Sequence, residues 1–281
     1  MKKVLITGVS QGIGRGIAER FLNEGYFLFG SFNTGRQKAT ELIEQYGESR
    51  VKLFGPYDFT NLNDSIRFAE EVKTYQFDAV VCNAGMFSEN DDFNEFDLED
   101  FISVMNCNFY TPLIITTALK DSIVAGGSIV IISSNDAYPG AFSSMSYSIS
   151  KSALLSLMKC LSVNYGKRGI RVNSVAPGAI DTAMNTPEQM LISPYFSPIA
   201  RVGTPKDVAK VVYFLSSDEA GFISGENITI DGGYNIESVL LKSEADPNLS
   251  VLLRTYFVDS EFIHVVNEYA DKIGVNRSNN D

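Results

Sequence analysis

Residues 146–154 read SYSISKSAL, which sets a phenol, Tyr147, four positions before an amine, Lys151. A helix puts residues four apart on one face, so both side chains can reach one ligand. A free tyrosine ionises near ~10 and is a poor proton donor or acceptor at neutrality. A cation held beside it favours the phenolate and lowers that value, which would make the pair a proton-transfer device. The same serines also suit the polar start of a surface helix. Upstream, TGVSQGIGRG follows the first apolar run and spaces Gly8, Gly12 and Gly14 as G-x-x-x-G-x-G. That spacing suits a tight strand-to-helix turn, close backbone approach to a pyrophosphate, and anion binding at a helix N-terminus. Read alone, it is equally a structural glycine turn.

Such groups need elements to hold them. Runs rich in β-formers, KVLIT, FLFGSF, VKLFGPYDF, FDAVVCN, SIVIISS, IRVNSVAP and NITID, alternate with helical patterns at about 14–24, 35–46, 62–75, 97–119, 146–166 and 205–216. This alternation predicts a parallel sheet covered by helices on both faces. With 281 residues there is material for one large core, and residues 1–234 read as one domain. Residues 235–281 change character: VLLRTYFV and FIHVVNEYA recur at helical spacing, which predicts a helical extension packed on the main domain or a neighbouring subunit.

Composition narrows the chemistry. A hydrophobic content of 44% argues for a folded globule, and a net charge of -11 argues against nucleic acid and anionic membrane as partners. No run approaches the roughly 18 apolar residues of a membrane span, and the N-terminal apolar run is too short for a signal peptide. Cys82, Cys107 and Cys160 are isolated, which fits small buried thiols in a reducing, cytoplasmic compartment. His264 is the only histidine, so a zinc site or a serine–histidine hydrolase is disfavoured, and no metal is expected.

Dinucleotide-binding sheets often carry an acid about 20 residues beyond the glycine turn, to hold the ribose 2′-hydroxyl. Here the end of the second strand reads GSFNTGRQK, with Phe32 at that place and no carboxylate to repel a 2′-phosphate. Asn33 and Thr34 can donate hydrogen bonds and Arg36 can supply charge, or remain a solvated first-turn side chain. The balance favours NADP(H), with NAD(H) the alternative.

In combination, TGVSQGIG, CNAG at 82–85, SS at 133–134, YSISK at 147–151, VNSVAPGAIDT at 172–182 and DGG at 231–233 resemble the short-chain dehydrogenase/reductase family, in particular its 3-oxoacyl reductase-like carbonyl reductases. The likeness runs from Val4 to Tyr234. It implies a single-domain, doubly wound Rossmann-type α/β fold with a seven-stranded parallel sheet. It implies Tyr147 as general acid/base, Lys151 as the group that lowers its pKa and holds the nicotinamide ribose, and Ser134 as the carbonyl-binding hydroxyl. Asn108 would complete a proton relay, with Asn106 the fallback. Ser133 is disfavoured, because neighbouring strand residues face opposite ways. An asparagine within a helix is itself unfavourable, an independent hint of a role. For the cofactor, the resemblance implies Gly8, Ser10, Gln11, Gly12, Ile13 and Gly14 in the turn. Asp58 and Phe59 would lie near the adenine, and Asn83, Ala84 and Gly85 beyond the fourth strand. Pro177, Gly178, Ile180 and Thr182 would lie at the nicotinamide end. Asp231, Gly232 and Gly233 read as a structural turn.

The substrate pocket is expected from residues 86–93, 135–142 and 183–198, with Tyr138, Phe142, Met184, Met190, Tyr195 and Phe196 as candidate walls. Glu89, Asp91, Asp92 and Glu95 give an acidic rim, which marks down an acidic carrier protein and favours a free small carbonyl or alcohol. Three activities are compatible: an NADP(H)-dependent carbonyl reductase, an NAD-dependent alcohol or sugar dehydrogenase, and a non-catalytic cofactor-sensing protein. The intact Tyr147–Lys151 pair ranks the last lowest. The resemblance also implies a homo-oligomer, a tetramer or dimer, assembled through the helices at 97–119 and 146–166.

Overall fold

The computed structural model describes residues 1–88, 93–94, 96–140 and 144–236. The extension expected over 235–281 lies outside the described residues from 237 onward, as do Phe142 and the acidic rim residues Glu89, Asp91, Asp92 and Glu95.

Seven strands form one parallel sheet in the order β3-β2-β1-β4-β5-β6-β7. They are β1 (Lys3–Ile6), β2 (Phe27–Ser31), β3 (Val51–Phe54), β4 (Phe77–Cys82), β5 (Ile123–Ile132), β6 (Arg171–Pro177) and β7 (Asn227–Ile230). Alternation along each strand builds two cores. Val4, Ile6, Ala79, Val81, Val130 and Ile132 enter one, with α1 (Gly12–Asn23), α2 (Arg36–Tyr46) and α8 (Pro205–Ser216). Leu5, Val80, Cys82, Ile129 and Ile131 enter the other, with α3 (Leu62–Val72), α5 (Thr111–Ala118) and α6 (Met145–Tyr165). Period-2 strands covered on both faces therefore read as unbroken apolar runs, the pattern seen in the sequence. Phe21, Phe68 and Phe77 are fully buried, each burial worth roughly 1.5–3 kcal/mol.

Some boundaries move for local reasons. The run VKLFGPYDF stays a strand only to Phe54, because Gly55 takes φ 147° and Pro56 has no N–H for the ladder. The segment 97–119 is helical but not uniformly so: α4 (Leu98–Met105) passes through a π-helical turn, Asn106–Tyr110, into α5. Thr111 N–H reaches back to the Asn106 carbonyl, and Pro112 behind it cannot supply a normal helical donor. That turn carries Asn108.

The strand order reverses between β1 and β4, where an open α/β sheet leaves a crevice at the carboxyl ends of its strands. On α6, Tyr147, Lys151, Leu154, Met158, Leu161 and Tyr165 are buried at spacings of three and four. The same helical face that packs the core thus delivers Tyr147 and Lys151 to the crevice. Cys82 and Cys107 are buried as expected; Cys160 is exposed, because it falls off that face. Among the described residues no helix is long and apolar enough to cross a membrane.

Candidate active site

A cavity of about 760 Å³ opens along the carboxyl ends of the central strands. Its far end is built from backbone. Gly8 and Gly12 hold φ of 74° and 57°, conformations that other residues adopt only with strain. Gln11 precedes α1 without a side-chain cap, which leaves the helix N-terminus to a ligand. A Cβ on Gly14 would collide with the Gly8 carbonyl oxygen and the Asn83 amide nitrogen. Asn83 ties the turn to β4: its Nδ2 donates to Thr7 O at 2.9 Å and Gly8 O at 3.1 Å. The backbone N–H groups of Asn83 and Ala84 both donate to Thr7 Oγ1 at 2.9 Å. Thr182 stands across from Gly12, its Cγ2 3.3 Å from where a Cβ would lie. Shape and donor set fit a dinucleotide: a positive-φ cradle, an uncapped helix start and a long cleft beyond.

Of the sequence-derived cofactor residues, all line this cavity except Arg36. The Arg36 guanidinium lies 5.6 Å from the centre of the buried Phe32 ring. Lys38 places an amine at this end. With Ser10, Gln11, Thr34, Gly35 and Gln37 it lines a small side pocket that shares Ser10, Gln11 and Thr34 with the main cleft. Its Nζ donates to Gln11 Oε1 at 3.2 Å. The sequence does not show this helix phase: two positions past Arg36, the side chain swings from the Phe32 side to the glycine-turn side. Asp58 lines the cleft beside Phe59 and accepts from Thr60 N at 3.1 Å and Thr60 Oγ1 at 2.8 Å.

The near end is built from buried side chains. Lys151 donates to Ile132 O at 2.9 Å, tying α6 to the end of β5, and its Nζ lies 5.4 Å from the centre of the Tyr147 ring. Asn108 is buried; its Oδ1 accepts from Met86 N at 2.8 Å, and its Nδ2 donates to Met86 O at 2.9 Å and Ser150 Oγ at 3.0 Å. Asn108 Oδ1 and Lys151 Nζ lie 3.3 and 3.4 Å from the position a Cβ would take on Gly85, so this glycine keeps the amide and the amine side by side. Asn106 is occupied elsewhere, donating to Thr60 O at 2.8 Å. Ser133 turns away to donate to Lys151 O at 3.0 Å. Ser134 hydrogen-bonds the Tyr147 side chain and accepts from Asp136 N at 3.1 Å.

Burial decides the protonation states. It pushes the Tyr147 phenol up to about 12, helped by the Asp136 charge and opposed by the Ser134 hydrogen bond. It also lowers the Lys151 amine to about 8, with Cys107 and Asp136 acting against it. Desolvation of the phenolate is the largest influence on Tyr147, and it acts against the lowering expected from Lys151. At neutral pH the site holds a protonated phenol next to an ammonium.

The cavity wall beyond Tyr147 includes Met86, Phe87, Asn135, Asp136, Met184, Phe196 and Tyr234. Of the expected wall residues, Met184 and Phe196 are there. Tyr138 is exposed and bonded to Thr229 and Asn227, and Met190 and Tyr195 do not line the cavity. Asp136 and Tyr234 were not singled out by the sequence; Asp136 had only a weak signal, a turn-forming aspartate two positions after Ser134.

Residues 8–235 match the family model described as Enoyl-(Acyl carrier protein) reductase. Glucose 1-dehydrogenase of Gluconobacter oxydans is 32% identical over 257 residues, covering 84% of this chain and 92% of that one. The 3-oxoacyl-[acyl-carrier-protein] reductase of Buchnera aphidicola is 31% identical over 242 residues, covering 83% and 96%. A short-chain dehydrogenase from Burkholderia cenocepacia, solved in complex with NADP, superposes with a TM-score of 0.78 at 29% identity, covering 83% and 98%. This chain belongs to the short-chain dehydrogenase/reductase family and is an oxidoreductase that uses a nicotinamide cofactor.

Proposed function

We propose that the protein is an NADP(H)-dependent reductase that turns a small-molecule carbonyl into a secondary alcohol. The observation that carries this reading is the convergence of Tyr147, Ser134, Lys151 and Asn108 at one end of a cleft whose other end is the glycine turn. A reduced nicotinamide bound in that cleft would supply the hydride for the carbonyl carbon. Ser134 holds the carbonyl oxygen, and Tyr147 gives that oxygen its phenolic proton, so hydride and proton together complete the alcohol. The phenol is a competent donor because burial keeps it protonated. The Lys151 ammonium stabilises the phenolate left behind, and Asn108, beside the amine, anchors the path by which the proton is restored.

Preference for NADP(H) is supported by Phe32 at the acid's usual place and by Lys38 beside Ser10 and Thr34, where a 2′-phosphate would meet an ammonium and two hydroxyls. We assign residues 1–234 to the cofactor-binding and catalytic unit and 235–281 to an extension. Exposed Leu98, Ile102, Tyr110 and Ile149 on α4 to α6 support a homo-oligomer. The likeness to a glucose 1-dehydrogenase favours one second reading, an NAD-dependent alcohol or sugar dehydrogenase.

The test is to titrate NADPH and NADH, then follow their consumption with ketones, sugars and acyl thioesters. NADPH is expected to bind more tightly and to be oxidised by a carbonyl. Turnover with NADH alone would overturn the assignment of Lys38 and favour the second reading.

A further inference from the structure

Asp136 has no part in the proton transfer, yet it stands among the reacting groups. It lines the cavity next to Ser134 and Tyr147, and its backbone is pinned there by the bond from its N–H to Ser134 Oγ. Its charge raises the pKa values of the Tyr147 and Tyr234 phenols and of the Lys151 amine. Among the described residues it makes no ion pair. Burial raises its pKa, outweighing the Ser134 hydrogen bond and the Lys151 charge that favour the carboxylate, so its charge is only partly compensated within the protein.

Aromatic rings line the same cavity. Phe196 and Tyr234 meet edge to face with ring centres 6.3 Å apart, and Phe87 lies 5.4 Å from the Tyr147 ring. Aromatic faces beside a carboxylate are the usual surroundings of an alkylammonium group: the carboxylate supplies the opposite charge and the rings supply cation–π attraction while excluding water. The net charge of -11 adds a long-range field that draws cations and repels anions.

We infer that Asp136, Phe196 and Tyr234 form a subsite for an ammonium group, so that the substrate is a cationic ketone or amino alcohol rather than a neutral or anionic one. This rests on the reading that the cleft takes a nicotinamide cofactor. The carbonyl lies at Ser134 and Tyr147, and the cation lies a short chain away toward Tyr234. A keto acid placed in the same way sets its carboxylate against Asp136 and is rejected by like charge.

The test uses ligands that differ in charge alone. Methyl ketones ending in a trimethylammonium group, with spacers of one to three methylenes, are compared with their tert-butyl isosteres and with keto acids of equal length. Each is titrated by calorimetry into the full-length protein loaded with NADPH, after NADPH itself has been titrated. At the best spacer length the ammonium ketone is expected to bind at least about tenfold more tightly than the tert-butyl ketone, with the keto acid weakest. Asp136→Asn is expected to remove most of that preference, and Tyr234→Leu, which keeps the charge, to reduce it about threefold. Melting temperature reports whether each variant is folded. NADPH binding with no cation preference, with a preference that survives in folded Asp136→Asn, or with neither ketone bound, overturns the subsite alone. Failure to bind NADPH overturns the cofactor reading and the subsite with it.

Discussion

The two ends of the cleft are built from different materials. The glycine-turn end is backbone: positive-φ Gly8 and Gly12, a Gly14 that admits no Cβ, and an uncapped helix start. The Tyr147 end is side chain: a phenol, an amine, an amide and a hydroxyl buried together, with protonation states displaced by burial. A backbone site binds what every dinucleotide shares and tolerates change in the side chains around it. A side-chain site does chemistry and is sensitive to single atoms. Damage at one end should therefore read out as lost affinity or stability, and at the other as lost turnover.

The sharpest way to break that contrast is Lys151→Met. It is expected to lower kcat on the order of 10²–10⁴-fold, because the phenolate loses its cation. A loss under about tenfold, measured by NADPH consumption, would contradict a chemical role for the amine.

The same residue should leave a mark on stability. Burial takes the Lys151 amine from 10.5 down to about 8. Between those values the unfolded chain holds a proton that the folded chain has released. Stability therefore rises with pH from about 8 to 10.5 and is lost again as the pH falls through 8. The Tyr147 shift acts with the opposite sign, between 10.0 and about 12, and so overlaps only the top of that window. Denaturation of the wild type against Lys151→Met should diverge by up to about 3 kcal/mol across the lysine window. A difference that stays flat with pH would contradict the buried ammonium.

At the backbone end, Gly14→Ala must push apart the Gly8 carbonyl and the Asn83 amide. A stability loss of about 1–3 kcal/mol is expected, with NADPH binding lost alongside, both measurable by thermal denaturation with and without cofactor. An unchanged variant would mean that the turn is looser than its contacts indicate. The smallest effect belongs to the charges at this end. Lys38→Gln should weaken NADPH about three- to tenfold and leave NADH alone, since the ammonium is exposed and screened. Arg36→Gln, which only uncovers the Phe32 ring, should change either affinity by less than about twofold. The reverse ranking would favour the sequence reading of Arg36.

The contrast also explains what could be read in advance. Gly8, Gly12 and Gly14 are legible because a backbone conformation demands a residue type at a fixed spacing. Tyr147 and Lys151 are legible because one helix turn joins them, and Asn108 because an asparagine inside a helix asks for a reason; the reason is the π-helical turn. The parallel sheet is legible because strands covered on both faces read as apolar runs, whereas the order of its strands is set only by their pairing in the folded chain. Lys38 and Arg36 differ in helix phase, which depends on where α2 docks and is not legible in the sequence. Asp136 was passed over because its neighbours Tyr147, Lys151 and Tyr234 come from other segments and meet it only in the folded chain.

The most direct test of the division between the two ends is Tyr147→Phe, measured twice: NADPH affinity by fluorescence titration, and NADPH consumption with the best carbonyl of the panel. The account predicts affinity within about twofold of the wild type and turnover reduced by at least about 10²-fold, because one hydroxyl is lost and the glycine-turn end is untouched. Turnover that survives the substitution would contradict the assignment of Tyr147 as the proton donor.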